Sequence, residues 1–346
     1  MASLLAPKGV SWRSHSIVPP STGQALRALR RSDPPPRPTG ERATFLVDVI
    51  AGLARMPKSL PARYMFDAVG ARLFDCLAAS EDHYLTRCEL ELLRTRGPEI
   101  AEAIGENAQL VDLACGDGVR TTLLTGHLRH PARIAVVDRT ENAAIKLAGA
   151  LAASDAELPL LAVDAQTPFA TRVPPFARAA RTVAYLPASV IGELEPRDAK
   201  NELHRLASEC GEGGGLLVAV DLKKDGVELE RAYADRAGVA ASFGLNLLAR
   251  INRELGGSFQ LAAFDHRAVY DAAKGRVEIQ LVSKRWQWAA VYRQWVNFGP
   301  GEAITTLVAY KYTLEWFTAL ASSAGWHVDH VFTGADRKYA LVLLRA

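Results

Sequence analysis

The chain has 346 residues, of which 49% are hydrophobic and 23% charged, with a formal net charge of +3. That length suggests two structural units or one core with a large insertion, and there is ample apolar material for a core. Part of the positive excess lies in the first forty residues, so the nearly balanced remainder argues against nucleic acid as the main partner. No apolar run reaches membrane-spanning length, and the N-terminus lacks the basic-then-apolar order of a secretory signal. Cys76, Cys88, Cys115 and Cys210 form no CxxC pair and no zinc or disulfide spacing, which fits a reducing, cytoplasmic setting.

Residues 1–40, with "SDPPPRP", are rich in Pro, Arg and Ser and are expected to form a disordered tail. Helical spacing begins with "ERATFLVDVIAGLARM" and continues in "DAVGARLFDCLAAS" and "RCELELLRTRGPEIAEAIG". The pattern then changes to strands alternating with helices. "AQLVDLAC", "ARIAVVD", "LPLLAVD", "ARTVAYLP" and "GGLLVAVDL" read as strands, with helices through "TTLLTGHL" and "ENAAIKLAGALAAS" among those between them. Such alternation predicts an α/β fold with a doubly wound, Rossmann-like parallel sheet.

After Lys224 the alternation stops. A helical region runs through "ELERAYADRAGVAASFGLNLLARINREL", and a hairpin follows in "DHRAVYDAAKGRVEIQLVSKRW" with "AAKG" as its turn. The helix "TLEWFTALASSAG" and the strands "WHVDHVFT" and "KYALVLLRA" close the chain. The expected organisation is therefore N-terminal helices at 41–80 joining a lid, a core at 81–224, an inserted α+β lid or substrate domain at 225–312, and the end of the core at 313–346. The substrate is expected at the junction of lid and core.

"LVDLACGDGVR" is the most informative segment. Asp112 ends the first strand, and Ala114, Gly116 and Gly118 follow at alternate positions. Small residues let the backbone pass close to a ligand, and glycine tolerates a left-handed turn into the helix. A dinucleotide fingerprint would place a third glycine where Thr121 stands. An acid at the first strand end also suits a cationic ligand better than a diphosphate; Asp112 can meet such a ligand or hold the turn. Asp138 ends the second strand, where a carboxylate can accept two ribose hydroxyls, and Asp164 ends the third, within reach of an adenine amino group. Each alone could be a helix N-cap. Three in succession, with the glycine turn, favour a nucleoside ligand carrying an ammonium group, which S-adenosylmethionine provides. His83, His266 and His327 have no ligand spacing, so no metal is expected, and Trp286 and Trp288 are expected to pack.

The markers "FDAVGARLFD", "HYLTRCE", "LPASVIGELEP", "VDLKKD", "AYADRAGVAASFGLNLLARINREL", "HRAVYD", "RVEIQLVS" and "AYKYTLEWF" occur in this order. With them the chain resembles the histidine-specific methyltransferase family from about Pro57 to the C-terminus. Its type member makes trimethylhistidine for ergothioneine biosynthesis, and fungal relatives methylate tryptophan-derived substrates. The resemblance implies a methyltransferase core with a second domain, and an enzyme that N-methylates a small amine or amino acid.

It also implies site residues. Gly116, Arg120, Asp138 and Asp164 fall on the S-adenosylmethionine contacts, with Arg120 where the family commonly has Lys. Tyr84 and Tyr233 match family tyrosines, the second of which holds the substrate carboxylate. Tyr84 would orient the amine, and Glu193, where the family has an Asn toward the carboxylate, is a second candidate for holding or deprotonating it. Phe66 replaces a Tyr and Ile279 a common Met. Leu307 and Ala309 replace the Glu and Ser that grip imidazole. The resemblance with these departures favours a substrate other than plain histidine. Alternatives are the ordinary histidine N-alpha-methyltransferase, a non-catalytic protein that binds S-adenosylmethionine, and a nicotinamide oxidoreductase, the last disfavoured by the glycine pattern.

Overall fold

The computed structural model describes residues 38–138, 160–164 and 176–346, with Asp138 and 160–164 described as backbone. Nearly all of the expected tail, and the expected helix at 141–154, lie outside these residues. In chain order the described elements are α1 (Glu41–Leu53), β1 (Lys58–Ser59), α2 (Ala68–Ala78), α3 (Tyr84–Ile104), β2 (Ala108–Asp112), α4 (Val119–Thr125), β3 (Arg133–Asp138), β4 (Leu160–Asp164), β5 (Arg181–Leu186), α5 (Pro196–Cys210), β6 (Gly215–Asp221), α6 (Gly226–Tyr233), α7 (Val239–Leu255), β7 (Phe264–Asp271), β8 (Arg276–Ser283), β9 (Gln287–Val291), β10 (Gln294–Phe298), β11 (Ala303–Tyr310), α8 (Leu314–Ser323), β12 (His327–Thr333) and β13 (Tyr339–Arg345), with short 3-10 turns between.

The chain divides into two compact units. One takes residues up to Phe74 with 238–267 and 279–307; the other takes 75–237, 268–278 and 308–346. Residues 225–237, 268–278 and 308–312, expected with the insertion, thus fall in the unit that holds the large sheet.

That sheet has seven strands in the order β12-β13-β6-β5-β2-β3-β4. Strands β2 to β6 run parallel, while β13 runs antiparallel to both β6 and β12. Every residue of β2 and of β6 is buried, as expected for central strands covered on both faces. The core on one face joins Val111, Val137, Ala184, Val218 and Val342 to Leu203 and Leu206 of α5 and Phe317 of α8. Helix α8 starts where the Thr313 side chain accepts from the Trp316 amide. The strand order reverses between β2 and β5, which opens a crevice at their carboxyl ends, where ligands bind in such sheets.

The other unit has its own apolar cluster. Phe45, Val49 and Leu53 of α1 and Phe243, Leu247 and Ile251 of α7 recur at helical spacing and pack with Leu281 and Ile304. Strands β7 and β8 are neighbours joined by the turn at 272–275, where Gly275 has φ of 67°. The hairpin of β9 and β10 was not visible in the sequence pattern. Its inward residues are Ala289, Val291, Val296 and Phe298. Trp288 and Trp295 are therefore outward, and Trp286 precedes the strand at 64% exposure with its ring over Gly299, so the packing of Trp286 is on the surface and not in the core.

Candidate active site

The glycine turn follows β2 directly. Gly116 (φ 61°) and Gly118 (φ 80°) both hold the left-handed conformation that favours glycine, and a Cβ on Gly116 would meet nothing within 4 Å. The turn thus puts no side chain between its backbone and the crevice. Asp112 takes the turn-holding role: it is wholly buried, accepts from the Ala114 amide at 2.9 Å and from the Thr121 hydroxyl. Burial pushes its carboxyl up to about 6, against the pull of these two donors. Asp138 and Asp164 end adjacent parallel strands and lie directly opposite one another.

Arg120 extends from α4 to a buried acid that sequence reasoning did not single out. Its Nε donates to Glu89 at 2.8 Å, and one terminal nitrogen donates to the Thr86 hydroxyl at 3.3 Å. Glu89, on α3 and wholly buried, also accepts from the Tyr185 hydroxyl at 2.7 Å, the Ala188 amide at 3.0 and 3.1 Å, and the Tyr339 hydroxyl at 3.3 Å. Burial works against the charge on Arg120, but Glu89 holds the guanidinium above its ordinary range.

A second buried acid organises the two tyrosines. Asp221 ends β6 and is wholly buried. It accepts from the Tyr84 hydroxyl at 2.9 and 2.8 Å, from Lys224 Nζ at 2.5 Å and from Lys311 Nζ at 2.7 Å. Lys224 also donates to the Tyr84 oxygen at 2.8 Å, and Lys311 to the Tyr233 oxygen at 2.7 Å. Burial alone would raise the Asp221 carboxyl, yet Lys311 and Lys224 hold it below the usual carboxylate range. Burial, and then the charge of Asp221, push the Tyr84 phenol far above its ordinary value, so Tyr84 is no general base. Burial also raises Tyr233, helped by Asp221 and Glu193. His83, next to Tyr84 in the chain, stacks edge-on to Tyr233; burial, with Lys311 nearby, pushes its imidazole down to about 4.

The segment between β5 and α5 is bent sharply: Ala188 and Ser189 both have positive φ (59° and 54°). The Ser189 hydroxyl accepts from the Asp221 amide at 3.0 Å. A Cβ on Gly192 would lie 2.8 Å from the Tyr310 carbonyl oxygen, so that close approach requires glycine. Glu193 ends this turn and is exposed.

Other expected substrate residues are placed as follows. Phe66 packs edge-on against Phe74 and Phe243 at 5.4 and 5.2 Å. Ile279 is buried on β8, and its carbonyl accepts from the Thr306 hydroxyl at 3.2 Å. Leu307 and Ala309 sit two apart on β11, Leu307 half-buried and Ala309 buried. The structure thus gathers Tyr84 and Tyr233 through Asp221 and Lys311. The two acids and two lysines behind the expected residues were present in the motifs "HYLTRCE", "VDLKKD" and "AYKY" without being recognised. Among the described residues no group of three or more His, Cys, Asp or Glu is placed to hold a metal, and no helix is long and apolar enough to cross a membrane.

Comparison with known proteins gives a consistent result. Residues 45–346 match the family described as histidine-specific methyltransferase, SAM-dependent. The chain is 36% identical to the histidine N-alpha-methyltransferase of Mycolicibacterium smegmatis over 299 residues, covering 86% of this chain and 93% of that protein. It is 34% identical to the histidine N-alpha-methyltransferase of Mycobacterium tuberculosis over 310 residues, covering 88% and 96%. It is 23% identical to the N-methyltransferase imqF of Aspergillus flavus, covering 84% and 82%.

Proposed function

Since the chain belongs to the SAM-dependent, histidine-specific methyltransferase family, we propose that it transfers methyl groups from S-adenosylmethionine to the amino nitrogen of a free amino acid. The observation that carries this reading is the buried cluster in which Asp221, Lys224 and Lys311 hold Tyr84 and Tyr233 at the carboxyl end of β6.

The residues present fit the cofactor. The Gly116 turn leaves room where a side chain would stand, and Asp138 and Asp164, side by side at the ends of their strands, are the candidates for ribose and adenine. Arg120 carries further N–H donors for the methionyl carboxylate beyond those given to Glu89 and Thr86. When bound, the cofactor supplies a methyl group on a cationic sulfur, which accepts the electron pair of the broken C–S bond as the amine nitrogen bonds to carbon. The chain's own task is alignment and exclusion of water more than strong base chemistry. Tyr84 accepts an N–H of the amine and aims its lone pair. Glu193 is the candidate to take the proton, directly or through water.

The names of the bacterial relatives support L-histidine as the acceptor. A specific observation favours a second reading, an acceptor with an apolar side group. Leu307 and Ala309 carry no polar side-chain atom where the family grips imidazole, and two unpaired ring nitrogens cost about 1–3 kcal/mol each when desolvated. Glu193 in place of a neutral amide adds repulsion toward a substrate carboxylate.

The test is methyl transfer by the full chain to L-histidine, L-tryptophan, L-leucine and their decarboxylated amines, with mass detection of product. Efficient histidine methylation supports the first reading; preference for an apolar acceptor supports the second. Cofactor binding by calorimetry without methylation of any amine overturns both. In the same calorimetry Asp138→Ala is expected to weaken S-adenosylmethionine by at least tenfold, since two hydrogen bonds to a charged acceptor are lost at about 1.5–3 kcal/mol each.

A further inference from the structure

We propose that Asp221 and its two lysines act as positioning residues that give the two substrate-facing tyrosines opposite hydrogen-bond polarity, Tyr84 an acceptor and Tyr233 a donor. The inference rests on the reading that these tyrosines meet an amino-acid substrate.

The bond inventory fixes the polarity. A phenol has one proton to donate and lone pairs to accept with; an ammonium only donates and a carboxylate only accepts. The Tyr84 proton is committed to Asp221, and one of its lone pairs receives Lys224. What Tyr84 has left to offer is acceptance, which suits an N–H. Tyr233 is wired the other way. Its oxygen receives the Lys311 ammonium. Among the described residues Tyr233 donates to no member of the cluster, so its proton is left to donate, which suits a carboxylate. One anionic group thus presets both ends of a zwitterion.

The charge count agrees. Lys311 is 1% exposed at the side chain, Lys224 7% and Asp221 0%. Two ammonium groups against one carboxylate leave a buried excess of one positive charge, which favours an anion at the Tyr233 end. Glu228, whose charge also reaches Lys224 and Tyr84, is held at 2.6 Å by Lys338. Glu193, whose charge reaches Tyr233, acts from an exposed position.

The experiment is a pair of double-mutant cycles with whichever of L-histidine, L-tryptophan and L-leucine the full-length enzyme methylates fastest. Tyr233→Phe and Lys311→Met are each expected to raise KM by about tenfold or more, the worth of one hydrogen bond to a charged group, with kcat within about threefold. If Lys311 acts chiefly through Tyr233, the double variant loses clearly less than the product of the two single losses; fully multiplied losses overturn the proposal. Lys311→Met leaves one lysine against one aspartate, so no buried charge is stranded, and S-adenosylmethionine affinity within twofold of wild type confirms an intact fold. The second cycle sets Asp221→Asn against Tyr84→Phe with kcat as the readout, and again the double is expected to lose clearly less than the product of the single losses. Should Asp221→Asn fail to fold, the Lys311 cycle decides alone. Wild-type KM in Tyr233→Phe would instead reject the placement of the substrate carboxylate, which separates failure of the pocket reading from failure of the wiring.

Discussion

Glu89 and Asp221 are both wholly buried carboxylates in the same unit, and each gathers two tyrosines, yet they are built to different ends. Glu89 faces one cation, Arg120, and its oxygens also receive the two phenols and a backbone amide. Charge cancels, and the tyrosine protons end on the acid. Asp221 faces two lysines, takes one phenol directly and reaches the other only through Lys311. That leaves a positive excess, a lone pair on Tyr84 and a proton on Tyr233. A network whose charges cancel holds its acid and its cation in place, while one with a charge to spare is prepared for a charged ligand.

The largest effect should fall on the charge-balanced network around Glu89. Glu89→Leu strands the Arg120 guanidinium without its anion, and breaking a buried pair in this way costs about 3–5 kcal/mol. Urea denaturation should show that loss. If stability instead holds while kcat collapses, Glu89 belongs to the chemistry and the contrast between the two acids fails.

The next effect tests whether the open network serves a zwitterion whose side group is chosen elsewhere. Leu307→Glu with Ala309→Ser restores partners for both imidazole nitrogens, at about 1–3 kcal/mol per group. The double variant should raise kcat/KM for histidine by about 10-fold or more, measured by mass detection of product. No gain for histidine would mean that these positions do not face the acceptor's side group.

His83 offers a smaller, pH-dependent check on the charge near Asp221. Its folded pKa of about 4 lies below the unfolded 6.5, so between these values the unfolded chain binds more protons. The stability it contributes is whole above pH 6.5 and is lost as pH falls toward 4, about 2 kcal/mol at pH 5. Asp112, raised to about 6, has the opposite slope, its cost relieved as pH falls from 6 toward 3.8. The wild type therefore masks each effect, and the difference between wild type and His83→Asn reveals it: the variant should lose less stability from pH 7 to pH 5. A titration midpoint of His83 followed by NMR should also rise in Lys311→Met, since one of its cationic neighbours is gone. No movement would place the lysine charge too far away to matter.

The parallel core was legible because buried strands such as "AQLVD" and "GLLVAVD" are short apolar runs between turn residues, and the glycine turn announces itself by composition. The hairpin of β9 and β10 was not, because "QWAAV" and "QWVNF" present tryptophans outward as well as apolar residues inward, which blurs a period of two. The acids behind the site were hidden for a different reason. Glu89 lies on a helix whose mean pattern is polar and Asp221 precedes two lysines, so each reads as a solvated charge until tertiary contacts bury it. Periodicity locates faces; it does not show which charged groups from distant segments meet.

The smallest effect concerns Tyr312, next to Lys311, and it sharpens the contrast from the apolar side. Its ring is fully buried in the core beside Trp316 and Phe317, with centroids 4.6 and 5.5 Å away. Its hydroxyl has no hydrogen-bond partner among the described residues, unlike those of Tyr84, Tyr185, Tyr233 and Tyr339. A phenol left so has lost its water without recompense, and burial drives its pKa up accordingly. Tyr312→Phe keeps the ring contacts and removes the stranded oxygen. It should leave urea stability unchanged or raise it by up to about 1 kcal/mol, with kcat and KM untouched. The same change at Tyr185 removes a donor from Glu89 and should lower stability by about 1–3 kcal/mol. A loss at Tyr312 comparable to that at Tyr185 would show that its hydroxyl has a partner in solution, and the division between wired and unwired tyrosines would have to be redrawn.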